Sequence, residues 1–225
     1  MAARWRWTTC RSRSRQGEIF GILGRNGAGK TTTVECLTGL RTPDRGRIRV
    51  LGRDPRRDHA EVTRRVGVQL QDSQLPERLR VGEAMRLYSS FYPDPADPAE
   101  LLGQLGLTGK EKVPYAGLSG GQRQRLSIAL ALVGRPRVAV LDELTTGLDP
   151  HARRDTWDLI GEVRSRGVTI VLVTHFMPEA ERLCDRIALI DAGRVLTIGS
   201  PAELREQAGQ PTLEDAFVAL TGRTA

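Results

Sequence analysis

The chain is poor in cysteine, poor in aromatic residues and without a long apolar run, and each shortage excludes a class of protein. Three cysteines in 225 residues, Cys10, Cys36 and Cys184, have neither the density of a disulfide scaffold nor the spacing of a metal site. They suit a reducing, cytosolic compartment. Aromatic residues are only 4% of the chain, too few to interleave the arginines as stacking platforms, so the net charge of +7 reads as a solvated surface. No nucleic-acid partner is expected. The longest apolar runs, Val168 to Val173 and Val138 to Leu141, suit buried parallel strands and fall far short of the ~20 residues of a membrane span. Any membrane pathway is therefore expected from another polypeptide. With 39% hydrophobic and 27% charged residues, the composition is that of a globular chain holding one large α/β domain and a smaller inserted lobe.

Glycine is plentiful by contrast, at 24 residues, and some of it lies where backbone must meet an anion. Gly24-Arg25-Asn26-Gly27-Ala28-Gly29-Lys30-Thr31 fits the G-x-x-x-x-G-K-[ST] pattern. It sits between a strand expected at Glu18 to Leu23 and a helix expected at Lys30 to Leu40, ended by Gly39, which is the context its chemistry demands. The glycines let the amides of Asn26 to Lys30 curl around a β-phosphate, and the helix N-terminus adds the positive end of its dipole. Lys30 would reach the β- and γ-phosphates as a point charge. Thr31 would give its hydroxyl to Mg²⁺, and Thr32 would touch the α-phosphate. Far downstream, Leu118-Ser119-Gly120-Gly121-Gln122 forms a second anion site, because a serine and two glycines opening a helix present bare N–H groups and a small hydroxyl. Two such sites suggest that two chains share each nucleotide, one giving the phosphate loop and the other the serine-glycine tip.

Elsewhere strands and helices alternate. Ile48 to Leu51 and Val66 to Val68 read as strands, Val81 to Phe91 as a helix, and Pro93, Pro95 and Pro98 break the pattern before a short helix at Glu100 to Leu107. Then come a strand at Val138 to Leu141, a helix at Pro150 to Arg166, a strand at Val168 to Val173, a helix at Pro178 to Cys184 and a strand at Arg186 to Ile190. The strand at Val138 ends in Asp142 and Glu143, so two carboxylates emerge at the sheet edge where α/β folds bind ligands. Asp142 would hold Mg²⁺ through water, and Glu143 is the candidate general base for attack on a γ-phosphate. Thr174-His175 follows another buried strand to the same edge; His59 and His151 read as surface residues.

These motifs together resemble the nucleotide-binding subunit of an ATP-binding cassette (ABC) transporter, over nearly the whole chain from Gly17 on. The resemblance implies an α/β P-loop NTPase fold with a mostly parallel sheet core flanked by helices, an inserted α-helical subdomain, and a reduced or disordered N-terminal antiparallel β part. All of this forms one domain, with residues 17–71 and 136–225 as the core and 72–135 as the helical subdomain. ATP and Mg²⁺ are the ligands implied. His175 resembles the family's switch histidine, and Asp149, within Thr145-Thr146-Gly147-Leu148-Asp149-Pro150, resembles the residue that couples two sites across a dimer. Asp149 also suits a plain helix cap before Pro150. Among Gln69, Gln71 and Gln74, the following Leu75 and the Leu79 to Glu83 segment match the family's spacing for Gln71, the glutamine that senses Mg²⁺ and the membrane partner. Pro211 to Phe217, continuing to Gly222, and Thr174 to Ala180 resemble the drug- and antibiotic-exporting, daunorubicin-resistance-like branch; taken bare, the former is an amphipathic helix with a threonine cap. The partners implied are a separate transmembrane permease and a second cassette in a head-to-tail homodimer or heterodimer, on the inner face of the cell membrane. Alternatives are a soluble ABC ATPase of DNA repair or translation, and a degenerate cassette that binds ATP without turnover.

Two departures stand out. Leu144 replaces the proline that usually follows the glutamate, which frees a backbone dihedral and is expected to loosen the aim of Glu143. The family also opens with a strand pair and an adenine-stacking aromatic residue, whereas residues 1–16 alternate arginine and serine after Trp5 and Trp7. Reading codons one nucleotide earlier permits the usual opening, so a frameshift just before Gly17 is expected; otherwise Trp5 or Trp7 stacks on adenine. Resequencing that stretch of DNA checks the frame.

Overall fold

A computed structural model describes residues 14–70 and 74–222. The expectations for Trp5, Trp7 and Gln71 lie outside the described residues. β1 (Ile19–Leu23) is buried along its length, as an unalternating apolar run requires in a sheet covered on both faces. It leads into α1 (Lys30–Leu37), shorter than the helix expected to Leu40. The Thr38 hydroxyl donates to Val34 O, and Gly39 takes φ 78°, a left-handed turn that stops the helix. The strand expected at Ile48 to Leu51 reduces to a single bridge between Val50 and Arg53, because Leu51 (φ 53°) and Gly52 (φ 80°) fold the chain back at once.

α2 (His59–Thr63) and β2 (Val66–Gln69) precede the helical stretch. α3 (Val81–Ser89) buries Val81, Ala84 and Met85, the i, i+3, i+4 stripe of an amphipathic helix. α4 (Pro98–Gln104) starts at Asp97, whose carboxylate accepts from Glu100 N, with Pro98 in the first turn where its missing N–H costs nothing. α5 (Gly120–Leu132) is followed by β3 (Val138–Asp142) and α6 (Pro150–Ser165). β4 (Thr169–Thr174), α7 (Met177–Leu183) and β5 (Arg186–Asp191) follow as expected to within a residue at most ends. β6 (Arg194–Gly199), α8 (Pro201–Ala208) and α9 (Leu213–Thr221) complete the chain. The threonine cap holds: Thr212 accepts from Asp215 N.

The chain divides into two compact units. One runs to Val62 and resumes at Thr169; the other is Thr63–Val168. In the first, β1 pairs in parallel with β4 on one side and β5 on the other, and β6 runs antiparallel to β5. Ala192 (φ 46°) and Gly193 (φ 73°) make the two-residue turn between β5 and β6, whose positive φ values match the strand twist. In the second, β2 and β3 pair in parallel from Val66↔Val138 to Gln69↔Leu141. α5 buries Leu126, Ile128 and Ala129 at 0% exposure, and each large apolar side chain so buried contributes about 1.5–3 kcal/mol. The boundaries expected at 72 and 135 fall inside this second unit. A mixed, mostly parallel sheet with flanking helices is the P-loop NTPase fold expected from the sequence. Among the described residues no helix is long and apolar enough to cross a membrane.

Candidate nucleotide-binding site

The phosphate loop hangs from the C-terminal end of β1, where the register pairs Leu23 with Thr174. His175, next in the chain, therefore emerges at the same sheet edge and is exposed. Gly24 N donates to Thr174 O at 3.4 Å, and Thr174 Oγ1 accepts from Phe176 N at 3.0 Å, turning the chain around His175. Gly27 (φ 80°) and Gly29 (φ 104°) hold conformations that a side chain resists, and Gly29 is the N-cap of α1. Gly24 has a different reason: a Cβ there would stand 2.4 Å from Ile190 O. Lys30 is only 6% exposed, and its ammonium donates to Gly24 O at 2.9 Å and Arg25 O at 3.2 Å. A cation buried within a glycine loop at a helix N-terminus fits a phosphate-bearing ligand. Arg25, Asn26 and Gly27 are exposed, Ala28 is buried, the Thr31 side chain is exposed, and Thr32 Oγ1 accepts from Arg41 at 3.2 Å.

The turn between β5 and β6 braces this loop, which the sequence did not reveal. Gly193 N donates to Ala28 O at 3.0 Å, and Ile190 O packs against Gly24. The readable signal was the turn pair Ala192-Gly193.

In the second unit, β3 delivers Asp142 (3% exposed) and Glu143 (8%) at its C-terminal end. Glu143 has φ 50°, left-handed for a residue with a side chain. Such backbone costs on the order of 1–3 kcal/mol and persists only where its surroundings over-determine it. Leu144 is fully buried at 0% exposure and Thr145 is at 3%, while Thr146 N donates to Glu143 O at 3.3 Å. Burial of Leu144 thus anchors the turn where a proline ring was expected. Gln69 lies buried at 5% beside these acids, and Gln74 is exposed. A hard oxygen donor such as the Asp142 carboxylate suits Mg²⁺, which keeps several waters rather than a full protein cage.

The signature opens α5 as a capping box. Ser119 Oγ accepts from Gln122 N at 3.2 Å, and Gln122 Oε1 accepts from Ser119 N at 3.1 Å. Arg123 secures the approach, donating to Leu118 O at 3.1 Å and Ala116 O at 3.0 Å while lying 5.2 Å over the Tyr115 ring. Gly120 and Gly121 allow close packing on the next loop: a Cβ on Gly121 would stand 3.3 Å from Ala152 Cβ, and one on Gly120 would stand 3.7 Å from Leu148. Arg125 and Asp155 join α5 to α6 at 2.9 Å. The structure therefore brings Ser119 to Gln122 together with Asp149, and separately the phosphate loop with His175.

Asp149 caps α6, accepting from His151 N at 2.9 Å and Ala152 N at 3.0 Å. The Ala152 N–H, and after it the His151 N–H, hold this carboxyl below the ordinary aspartate range. A lowered folded-state value means that the stabilisation is present above the ordinary range and is lost as pH falls through the lowered one. Melting temperatures of wild type and Asp149→Ala are accordingly expected to differ at neutral pH and to converge in acid.

The model of the ABC transporter family matches residues 10–146. The Nod factor export ATP-binding protein I of Ralstonia nicotianae is 43% identical over 196 residues, covering 84% of this chain and 61% of that protein. Its counterpart in Rhizobium johnstonii is 40% identical over 204 residues, covering 88% of this chain and 66% of the relative. The chain thus spans a little under two thirds of the length of these curated relatives. Among solved structures, an ATP-binding subunit of an ABC transporter superposes with a TM-score of 0.81 at 30% identity, over 92% of this chain and 89% of that one. The cbiO1 protein of Clostridium perfringens, part of the ABC transporter complex cbiONQ, gives a TM-score of 0.76 at 27% identity, over 89% and 84%.

Proposed function

The chain belongs to the ABC transporter family, and we propose that it is the ATP-binding and ATP-hydrolysing subunit of an exporter, acting with a separate membrane permease on the cytoplasmic face. One observation carries the reading: a phosphate loop closed on a buried lysine and a serine-capped signature helix occur in the same chain. Each is half of a nucleotide site, which favours a head-to-tail pair of cassettes. Lys30 and the amides of residues 24–31 would hold the β- and γ-phosphates, with Thr32 at the α-phosphate. Ser119, Gly120, Gly121 and Gln122 of the other chain would close on the γ-phosphate, with Asp149 crossing the interface. Thr31 and Asp142 would hold Mg²⁺, which neutralises charge on the phosphate oxygens. Glu143 would orient and deprotonate the attacking water, His175 would contact the γ-phosphate, and Gln71 would report to the permease. Residues 72–135 are the helical subdomain in this reading, and residues 17–71 and 136–225 are the core.

The similarity to Nod factor export proteins favours outward transport. They speak for Nod factor, whereas Pro211 to Gly222 resembles the drug-exporting branch; both readings make the cargo a small molecule delivered by the permease. Hydrolysis is tested by Glu143→Gln, which is expected to lower kcat at least about a hundredfold while ATP binding is retained. Unchanged kcat would remove Glu143 from its role.

A further inference from the structure

We propose that Gln69 is a positioning residue for hydrolysis, its buried amide fixing the backbone of Asp142 and through it the aim of Glu143. The proposal rests on the reading of Glu143 as general base. The last pair of the β2–β3 ladder is Gln69↔Leu141. No further main-chain rung follows from β2, which ends at Gln69. The side chain of Gln69 supplies the next rung: its Oε1 accepts from Asp142 N at 3.1 Å, and its Nε2 donates to Leu70 O at 2.9 Å. Both bonds require the same orientation of the amide, so its oxygen and nitrogen are fixed by their partners.

An amide at 5% exposure in an otherwise apolar strand is a costly choice unless both ends are satisfied. The neighbouring backbone supplies the reason to keep it. Glu143 is held at φ 50°, with Leu144 and Thr145 buried behind it. Those two fix the turn from its C-terminal side, and the Gln69 bond fixes Asp142 on the N-terminal side. Without the bond, Asp142 loses this tether and Glu143 is less firmly held in its strained conformation. Hydrolysis depends on placing that carboxylate against a water molecule, where a displacement near 1 Å costs on the order of a hundredfold.

The experiment is steady-state ATPase of the full chain as wild type, Gln69→Met, Gln69→Leu, Glu143→Gln and the Gln69→Met/Glu143→Gln double variant, with ATP affinity measured by equilibrium binding. Gln69→Met keeps the shape and removes both bonds. It is expected to lower kcat by about tenfold to a hundredfold, with KM and ATP affinity within about twofold, and to cause no further loss in the Glu143→Gln background. Gln69→Leu removes the same two bonds with a different apolar shape, and ATP affinity near wild type shows that either variant chain is folded. Gln69→Leu is expected to lower kcat into the same range as Gln69→Met. Wild-type kcat in Gln69→Met or Gln69→Leu, a change confined to KM, or losses that multiply independently in the double variant would each overturn the proposal. Wild-type kcat in Glu143→Gln would overturn the reading of the base and this proposal with it, whereas a loss there with none in Gln69→Met would overturn this proposal alone.

Discussion

Gly67→Ala is expected to yield little or no folded protein. The added Cβ would stand 1.8 Å from Ala131 O and 2.8 Å from Ala131 C, main-chain atoms of α5 with no rotamer to escape into. Relief requires α5 to move off β2, and its Leu126, Ile128 and Ala129 side chains are fully buried. Overpacking of side chains alone costs about 1–3 kcal/mol. A clash with helix backbone lies at or above that range, against a total stability of about 5–15 kcal/mol. Any chain that does fold carries Ser119 and Gln122 out of place, because they begin the displaced helix. Soluble yield and thermal melting are the measurements. A melting temperature within a few degrees of wild type would mean that β2 and α5 do not approach so closely.

Lys30→Ala is expected to abolish ATP turnover and to weaken ATP binding by at least about a hundredfold, a loss of two charge-assisted hydrogen bonds at roughly 1.5–3 kcal/mol each. Geometry makes the effect specific to the ligand. The ammonium is 6% exposed and rests on Gly24 O and Arg25 O, so it sits inside the loop without reaching out from a surface. Its removal takes away the loop's own positive charge and its ties to Gly24 O and Arg25 O, while the main-chain bonds at Gly24 and Ala28 and the α1 dipole stay. Far-ultraviolet circular dichroism is expected to be unchanged. Lys30→Arg should fare little better, because a planar fork does not fit where a compact ammonium is seated. Nucleotide affinity within tenfold of wild type in Lys30→Ala would show that binding draws its energy elsewhere.

The sequence made the strand-loop-helix unit at Gly24 to Lys30 legible because local rules decide it: an apolar run, glycines at positive φ, and a helix start coincide. Asp149 and Ser119 were legible for the same reason, each capping a helix with its own side chain, and Asp142 because it ends an apolar strand. Ile48 to Leu51 misled, since its β-branched residues precede a left-handed pair that no propensity scale registers. β6 was missed because its residues alternate only weakly between exposed and half-buried. Leu144 was read as a loss of constraint, whereas its complete burial supplies another. The role of Gln69 was out of reach, because it depends on where one strand stops beside another, a fact of register that neither strand carries alone.

The bracing of the phosphate loop has a consequence for the entropy of binding. Main-chain bonds hold it at Gly24 from Thr174 and at Ala28 from Gly193, and the lysine stitches Gly24 and Arg25 from within. Fixing one backbone residue costs about 1–2 kcal/mol. A loop that folding has already fixed at those points surrenders little freedom when a triphosphate arrives, so more of the contact energy is left for holding it.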